Sequence, residues 1–370
     1  MKIIVAPDKF KGSLTSFEAC RSISRGIKKT NNKIAVSEFP MADGGDGFSS
    51  VLNHYLKTDT INCHSVDPLG RKISASYQWN EMEKAAVVEL AVASGLVLLK
   101  EKERNPLYTS SLGTGLLIKN AIDKGAKKIV LGLGGSATND GGTGILSAIG
   151  FQFADENGDY LQASGENLLR IKKIIPPSFI PTVKFEIACD VQNVLFGPNG
   201  AAYIYAPQKG ADEKQVELLE HGLKNLADVM QLQTGKDISD IPGTGAAGGI
   251  AAGLLPFFEV EMKNGIELIV AASNVEEHLP TADLLITGEG KIDSQSSSGK
   301  VVGHMATLAK RYGLDCIAFC GSAELDEPSI SRLGLKKIIS LTDEFTGREA
   351  AIINAETLLE EKATQITQML

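Results

Sequence analysis

Short apolar runs rich in β-branched residues alternate along the chain with longer segments whose apolar residues recur at helical spacing. Most of the short runs end in Gly, Ser, Thr or Asp, which is typical of strands that lead into loops. Strands that alternate with helices favour an α/β protein with largely parallel sheets. The pattern predicts strands at residues 3–6, 86–90, 128–133, 185–190, 203–207, 266–271, 283–290, 316–322 and 337–343.

The helices are also visible in the pattern. Thr15 and Glu18 have the spacing of a capping box, and Ala19, Ile23 and Ile27 lie on one face of the helix that follows. Further helices are predicted at about 114–124, 212–230 and 347–368, an extended crossover at 59–80, and a loop at 233–249.

The chain has 370 residues, which is more than one hydrophobic core usually holds, so two domains are expected. The first β-α unit and the last hundred residues are predicted to share one sheet, with the middle of the chain inserted between them. This gives one domain from residues 1–60 plus 265–370 and a second from 61–264.

Composition excludes several classes of protein. An apolar content of 43% with 22% charged residues is typical of a soluble globular protein. The net charge of −8 argues against a nucleic-acid binder. The five cysteines form no C-x-x-C, and neither a signal peptide nor an apolar run of membrane-spanning length is present, so we expect a cytoplasmic protein with no membrane partner. The histidines lack zinc-binding spacing, and there is no G-x-S-x-G of a serine hydrolase.

Polar, glycine-rich loops follow the predicted strands, and ligands of open parallel sheets bind beyond the carboxyl ends of strands. The loop 6–14 (APDKFKGSL) places Asp8, Lys11 and Ser13 before a helix, which suits a phosphate but also an ordinary surface loop. The loop 41–47 (MADGGDG) offers the carboxylates of Asp43 and Asp46, which suit Mg²⁺ or a simple acidic turn.

Two further loops are rich in hydroxyls and glycines. The segment 108–117 (YTSSLGTGLL) predicts either an anion cradle at a helix start or a plain capped helix. The segment 131–144 (LGLGGSATNDGGTG) has six glycines, more than a reverse turn needs, so it predicts a ligand contact without a Walker motif.

Three loops remain. In 188–211, Asp190 follows a buried strand and is either a rigidly held catalytic carboxylate or a cap, and Lys209 follows later. The segment 243–253 (GTGAAGGIAAG) fits a phosphate loop or close helix packing about equally. The segment 287–300 (TGEGKIDSQSSSGK) places many polar groups at a strand end.

These motifs, taken in their order along the chain, resemble the type-1 glycerate kinase family from residue 3 to about 345. The chain departs from the expected pattern at Val194 and at Val301, where prolines are expected. The resemblance implies ATP-dependent phosphorylation of D-glycerate, with the 2-hydroxyl as the expected acceptor and the 3-hydroxyl as the alternative. It also implies two α/β domains: a Rossmann-like three-layer domain built from both chain ends and a second α/β domain inserted into it. The active site is then expected in the cleft between them.

Residue chemistry on the shared motifs assigns roles. Asp190 is predicted to accept the substrate proton, and Lys11 or Lys209 to neutralise the transferring phosphoryl group or bind the glycerate carboxylate. Mg²⁺ is predicted to be held by carboxylates from Asp43, Asp46 and Asp293. Residues predicted to bind substrate or phosphate are Asp8, Ser13, Ser110, Ser111, Gly113, Thr114, Gly134, Gly135, Ser136, Thr138, Asn139, Asp140, Gly288, Glu289 and Gln295.

The predicted partners are therefore ATP and D-glycerate, and the protein is predicted to be a monomer or homodimer. A kinase for another small hydroxy acid, a phosphatase, and a non-catalytic sensor of sugar-acid phosphates are alternatives on the residues alone.

Overall fold

The structure is a computed structural model that describes residues 1–44, 47–292, 300–324, 330, 332–342 and 347–369. The chain divides into two compact units. The first is Met1–Tyr55 with Asn264–Leu370, and the second is Leu56–Lys263.

Strands and helices alternate through both units. The strands in the described residues are β1 (Lys2–Val5), β2 (Ala35–Glu38), β3 (Asp59–Val66), β4 (Lys72–Asn80), β5 (Ala85–Glu89), β6 (Lys128–Gly132), β7 (Gln152–Ala154), β8 (Tyr160–Leu161), β9 (Lys173–Ile175), β10 (Lys184–Ala188), β11 (Glu259–Lys263), β12 (Leu284–Ile292), β13 (Asp315–Ala323) and β14 (Lys337–Ser340). The α-helices in the same residues are α1 (Ser16–Thr30), α2 (Phe48–Leu56), α3 (Ala91–Ser94), α4 (Leu112–Asp123), α5 (Thr143–Ile149), α6 (Ala201–Tyr205), α7 (Glu213–Thr234), α8 (Ile250–Leu254), α9 (Gly265–Ser273), α10 (Val301–Arg311), α11 (Arg348–Ile353) and α12 (Ala355–Thr367).

The sheet of the first unit is parallel throughout, in the order β2-β1-β12-β13-β14. The chain leaves β1 towards β2 and later returns on the other side of β1 as β12, so the winding direction reverses between β1 and β12. This is the strand order of a doubly wound fold, and the reversal marks its topological switch point.

Helix α1 packs on this sheet through a continuous apolar face, and a capping box defines the residue at which it begins. Thr15 and Glu18 form the predicted capping box, in which the Thr15 N–H donates to the Glu18 carboxylate at 2.8 Å. Ile23 and Ile27 are fully buried in the core that α1 shares with β1, β12, β13 and α12.

The second unit contains a six-stranded sheet in the order β11-β10-β6-β5-β4-β3. Its first four strands are parallel, and β4 and β3 continue it as antiparallel neighbours. A small antiparallel sheet, β8-β7-β9, lies in the same unit. Both units combine sheets with helices, so the predicted α/β class is confirmed.

Several predicted elements are wrong. Residues 203–207 lie in α6 and the turn after it, and residues 266–271 lie in α9. Both are short apolar runs, and a buried helix has the same apolar pattern as a buried strand. The last predicted helix is two helices, α11 and α12.

The predicted crossover at 59–80 is instead the antiparallel hairpin β3–β4. Its turn is built around Asp67, whose carboxylate accepts the N–H groups of Leu69 and Arg71 at 2.9 and 3.0 Å. The sequence Asp-Pro-Leu-Gly carries this turn signal, because an aspartate can hydrogen-bond the backbone two residues on.

Candidate active site

Two acidic residues meet at the switch point of the first unit. The Asp8 N–H donates to the Gly288 carbonyl at 2.8 Å, which extends the pairing of β1 with β12 to the loop. Gly288 is followed by Glu289, and the side chains of Asp8 and Glu289 are only 5% and 6% exposed. The sequence motifs 6–14 and 287–290 are therefore brought together at the edge where doubly wound folds bind ligands.

The Asp8 carboxyl has an unusual environment for an acid. Burial raises its pKa to about 7, and the charges of Asp43 and Glu289 act in the same direction. The Lys9 N–H, which donates to Asp8 Oδ1 at 2.6 Å, and the Lys9 ammonium oppose the rise. Carboxyls with such pKa values cluster at functional sites.

The loop 9–14 forms one wall of a cavity of roughly 360 Å³. Lys11 and Ser13 line this cavity, and the Ser13 Oγ donates to the Phe10 carbonyl at 3.0 Å. Lys11, Ser13 and Asp8 thus line one cavity, as their shared motif suggests. That Lys11 and Ser13 bind phosphate stays a prediction.

Part of the predicted metal set lies outside the described residues, namely Asp46 and Asp293; Gln295, predicted to bind substrate, does too. Asp43 is half-buried and its charge acts on Asp8. Within the described residues, no three His, Cys, Asp or Glu side chains form a group able to hold a metal ion by themselves.

The second unit gathers its loops at the carboxyl edge of its parallel strands. Ala188 of β10 pairs with Gly132 of β6, so the loops that follow start side by side. Ser136 also bridges to Gly95, which directly follows α3 in the connection after β5. The glycine-rich segment is thus held between two neighbouring loops.

Only a short part of this segment faces outward. Gly134 and Gly135 are exposed and Ser136 is 7% exposed, whereas Thr138, Asn139 and Asp140 are fully buried. We call residues 134 and 135 the loop tip. Its exposed backbone can approach a ligand closely, as expected for glycines without side chains.

The buried side chain of Asp140 links two predicted sites, the glycine-rich segment 131–144 and the segment 108–117. Its Oδ2 accepts the Ser111 N–H at 2.7 Å, the Ser111 Oγ at 2.8 Å, the Gly144 N–H at 3.2 Å and the Ser110 Oγ at 3.4 Å. Burial raises the pKa of Asp140, and the hydrogen bonds from Ser111, Gly142 and Gly144 oppose that rise. The carboxylate occupies the place that an anion would take at the start of α4, where helix N–H groups favour negative charge.

The rest of the predicted cradle at α4 is also engaged internally. Thr114 Oγ1 donates to Ser94 Oγ at 2.8 Å, and Ser65 Oγ donates to the Gly113 carbonyl at 2.8 Å. Ser111, Gly113 and Thr114 are buried. These residues hold the loop in shape, and ligand binding by them stays a prediction.

Lys209 is buried rather than poised at the surface. It is 1% exposed, and its Nζ donates to the Thr138 carbonyl at 2.7 Å. Burial lowers its pKa to about 7, while the charge of Asp140 acts to raise it. The structure gives this lysine an internal partner, and its contact with a phosphoryl group stays a prediction.

Asp190 lies two residues beyond β10 and is exposed. Its position matches that of Gly134, which lies two residues beyond the paired Gly132 on β6. The predicted base and the loop tip therefore follow neighbouring strands of one sheet.

Sequence reasoning missed the residues that hold these loops. Ser94 and Gly248 fix the glycine-rich segment through hydrogen bonds to Ala137 and Gly141. Phe10 and Phe17 line the cavity of the first unit. The aromatic residues on either side of Lys11 were the available signal, because an apolar wall beside a lysine is typical of ligand pockets.

Fold and loops define an α/β protein with polar, glycine-rich loops on the ligand-binding edges of its parallel sheets. The sequence profile of the glycerate kinase family matches residues 3–370. The chain belongs to the glycerate kinase family.

Individual relatives agree with this assignment. The chain is 39% identical over 368 residues to a glycerate kinase of Halalkalibacterium halodurans, covering 98% of this chain and 97% of the relative. It is 39% identical over 344 residues to the glycerate 2-kinase of Escherichia coli, covering 92% and 90%. A crystal structure of a candidate glycerate kinase 2 from Salmonella typhimurium matches with a TM-score of 0.88 and 35% identity, covering 100% of this chain and 98% of that one.

Membership in this family identifies the chain as a kinase with an alcohol group as acceptor. In the part of the chain that the structure describes, no helix combines the length and the apolar character needed to cross a membrane.

Proposed function

We propose that the protein transfers the γ-phosphoryl group of ATP directly to the 2-hydroxyl of D-glycerate. Products are 2-phospho-D-glycerate and ADP. The family assignment supports the reaction, and the relative named glycerate 2-kinase supports the 2-position.

The observation that carries the proposal is the meeting of Asp8 and Glu289 at the switch point, on a loop that also bears Lys9 and Lys11. Phosphoryl transfer depends on positioning and on neutralising phosphate charge, which lysines and a carboxylate-bound cation supply. A sensor that only binds a sugar-acid phosphate does not need carboxylates, which repel an anionic ligand unless a cation lies between them.

The residues at the switch point fit a magnesium ion that arrives with ATP. Mg²⁺ is usually bound through one or two carboxylates together with substrate phosphates. The charges of Asp43 and Glu289 both disfavour the charged form of Asp8, and a cation next to Asp8 favours that form. Asp8 and Asp43 would hold the ion, which would neutralise phosphate charge, and the predicted ligands Asp46 and Asp293 remain part of the proposal.

Asp190 is the proposed proton acceptor. Its exposed position at the carboxyl edge of β10 leaves it accessible to a substrate hydroxyl. The loop tip after β6 follows the neighbouring strand, and its backbone N–H groups are suited to hold a phosphate or carboxylate oxygen. Lys11, exposed on the first loop, is proposed to neutralise charge on the phosphoryl group.

A coupled assay of ADP release tests the reaction. Purified protein with Mg-ATP should release ADP with D-glycerate, and not with L-glycerate or without an acceptor. Release that is equal with and without D-glycerate contradicts the proposal. Release with another small hydroxy acid but not with D-glycerate would make that acid the substrate.

We also propose that the enzyme works in the cytoplasm. All five cysteines are free thiols, which is typical of a reducing compartment.

A further inference from the structure

The cavity beside Asp8 in the first unit has a mixed character. One side is apolar and comes from Phe10, Leu14, Phe17, Met41 and Val51. Its volume of roughly 360 Å³ lies within the range of small-molecule sites.

The apolar wall is backed by buried residues. Phe10 and Val51 are 2% exposed and Met41 is fully buried, so these three residues lie behind the wall, and the half-buried Leu14 and Phe17 supply most of its exposed apolar surface. Phe17 is half-buried and packs edge-on against His54, with ring centroids 5.2 Å apart and planes at 82°. The capping box of Thr15 and Glu18 fixes the loop that leads into this wall.

The rim of the cavity carries charge of both signs. Lys9 and Lys11 line it together with the acidic residues Asp8 and Glu18, of which Glu18 is engaged in the capping box with Thr15. A ligand that fits this lining has an apolar, ring-containing part and an anionic part. D-Glycerate does not match, because each of its three carbons bears an oxygen and it has no apolar surface to bury.

We propose that this cavity binds the adenosine part of ATP, with the phosphates directed to Lys9 and Lys11. The flat base packs against the apolar wall, and base-aromatic contacts are favourable on any π-face. The lysines act as point charges for the phosphates. This assignment rests on the proposed kinase reaction, and it places the nucleotide in the first unit.

Ser50 offers a direct test. It is exposed on α2 and lines the cavity, so a large side chain there can fill the cavity without disturbing the core. Ser50→Trp should raise the Kd for Mg-ADP, measured by calorimetry, at least ~10-fold. The KM for D-glycerate and the melting temperature should stay as in the wild type, and Ser50→Ala should bind Mg-ADP normally.

Phe17→Ala is a second variant, which removes an aromatic side chain from the apolar wall instead of filling the cavity. It should weaken binding of adenosine and of Mg-ADP and leave binding of inorganic triphosphate unchanged. An unchanged Kd for Mg-ADP in Ser50→Trp, or a rise in the KM for D-glycerate alone, overturns the assignment.

The two proposals fail in different ways. In one outcome the wild type binds Mg-ADP, Ser50→Trp does not, and the wild type fails to phosphorylate D-glycerate. This outcome supports the nucleotide cavity and contradicts the reaction. Wild-type protein that phosphorylates D-glycerate, with Ser50→Trp binding Mg-ADP normally, contradicts the cavity alone.

Discussion

The Asp140 carboxylate accepts both the backbone N–H and the Oγ of Ser111, at 2.7 and 2.8 Å. Ser111 precedes α4 and Asp140 lies within the buried part of the glycine-rich segment, so one side chain fixes two loops at once. The residues that follow the loop tip are therefore anchored in the interior.

Asp140→Asn should destabilise the protein. An amide places a donor where the N–H and O–H groups of Ser111 and the N–H of Gly144 already point, so at least one buried donor loses its acceptor. We expect the free energy of unfolding to fall by about 2–4 kcal/mol, measured by urea denaturation.

The control is Asp123→Asn, the same change at an exposed residue of α4 whose ion pair with Lys119 is 2.6 Å long. An exposed pair at helical spacing contributes at most about 0.5 kcal/mol. Equal losses in the two variants would contradict the role of Asp140 as an anchor.

Lys209 should make stability depend on pH. Its pKa is about 7 in the folded protein and about 10.4 in the unfolded chain, so between these values the unfolded chain binds more protons. The contribution of Lys209 is therefore fully present above pH 10.4 and is lost as pH falls towards 7. Relative to Lys209→Met, the wild type should gain about 2 kcal/mol of unfolding free energy between pH 7 and pH 9.

The matched control is Lys214→Met, at an exposed lysine of α7. Its difference from the wild type should not change between pH 7 and pH 9. A constant difference for Lys209→Met over the same interval would show that the lysine is not buried as described.

Gly248 and Gly235 allow a test of close packing at fixed backbone geometry. Both have φ of 74°, but a Cβ at Gly248 would overlap the Thr138 carbonyl oxygen, whereas one at Gly235 has no heavy atom within 4 Å. Gly235→Ala should cost about 1 kcal/mol from backbone strain alone. Gly248→Ala should cost about 3 kcal/mol or more by chemical denaturation, because the glycine-rich segment must move. Similar costs would mean that this contact is absent.

Asp190→Asn should separate binding from turnover. Asp190 is exposed, so the variant should melt as the wild type does and bind Mg-ADP normally. Loss of general-base help should reduce kcat about 10²–10⁴-fold. A kcat close to the wild-type value would contradict the assignment of Asp190 as the base.

Local signals predicted much of the fold. The Thr15–Glu18 box fixed the start of α1, and β-branched runs identified β1, β6, β10 and β12. The runs at 203–207 and 266–271 were misassigned because burial on all sides removes the periodicity that distinguishes helix from strand.

The candidate site was only partly predictable. Motifs 6–14 and 287–290 could be placed at one sheet edge, because parallel strands end together. The inward orientation of Lys209 and Asp140 could not be foreseen, since a lysine or aspartate in a loop is usually exposed. Their partners, Thr138 and Ser111, lie 71 and 29 residues away in sequence.

The central claim is phosphorylation of D-glycerate at its 2-hydroxyl, and phosphorus NMR of the reaction mixture tests it most directly. A phosphate on the 2-oxygen couples to the single proton of that carbon, so we expect a new phosphomonoester doublet that appears with ADP and requires D-glycerate. A triplet would place the phosphate on the 3-oxygen, and inorganic phosphate as the only product would contradict transfer to glycerate.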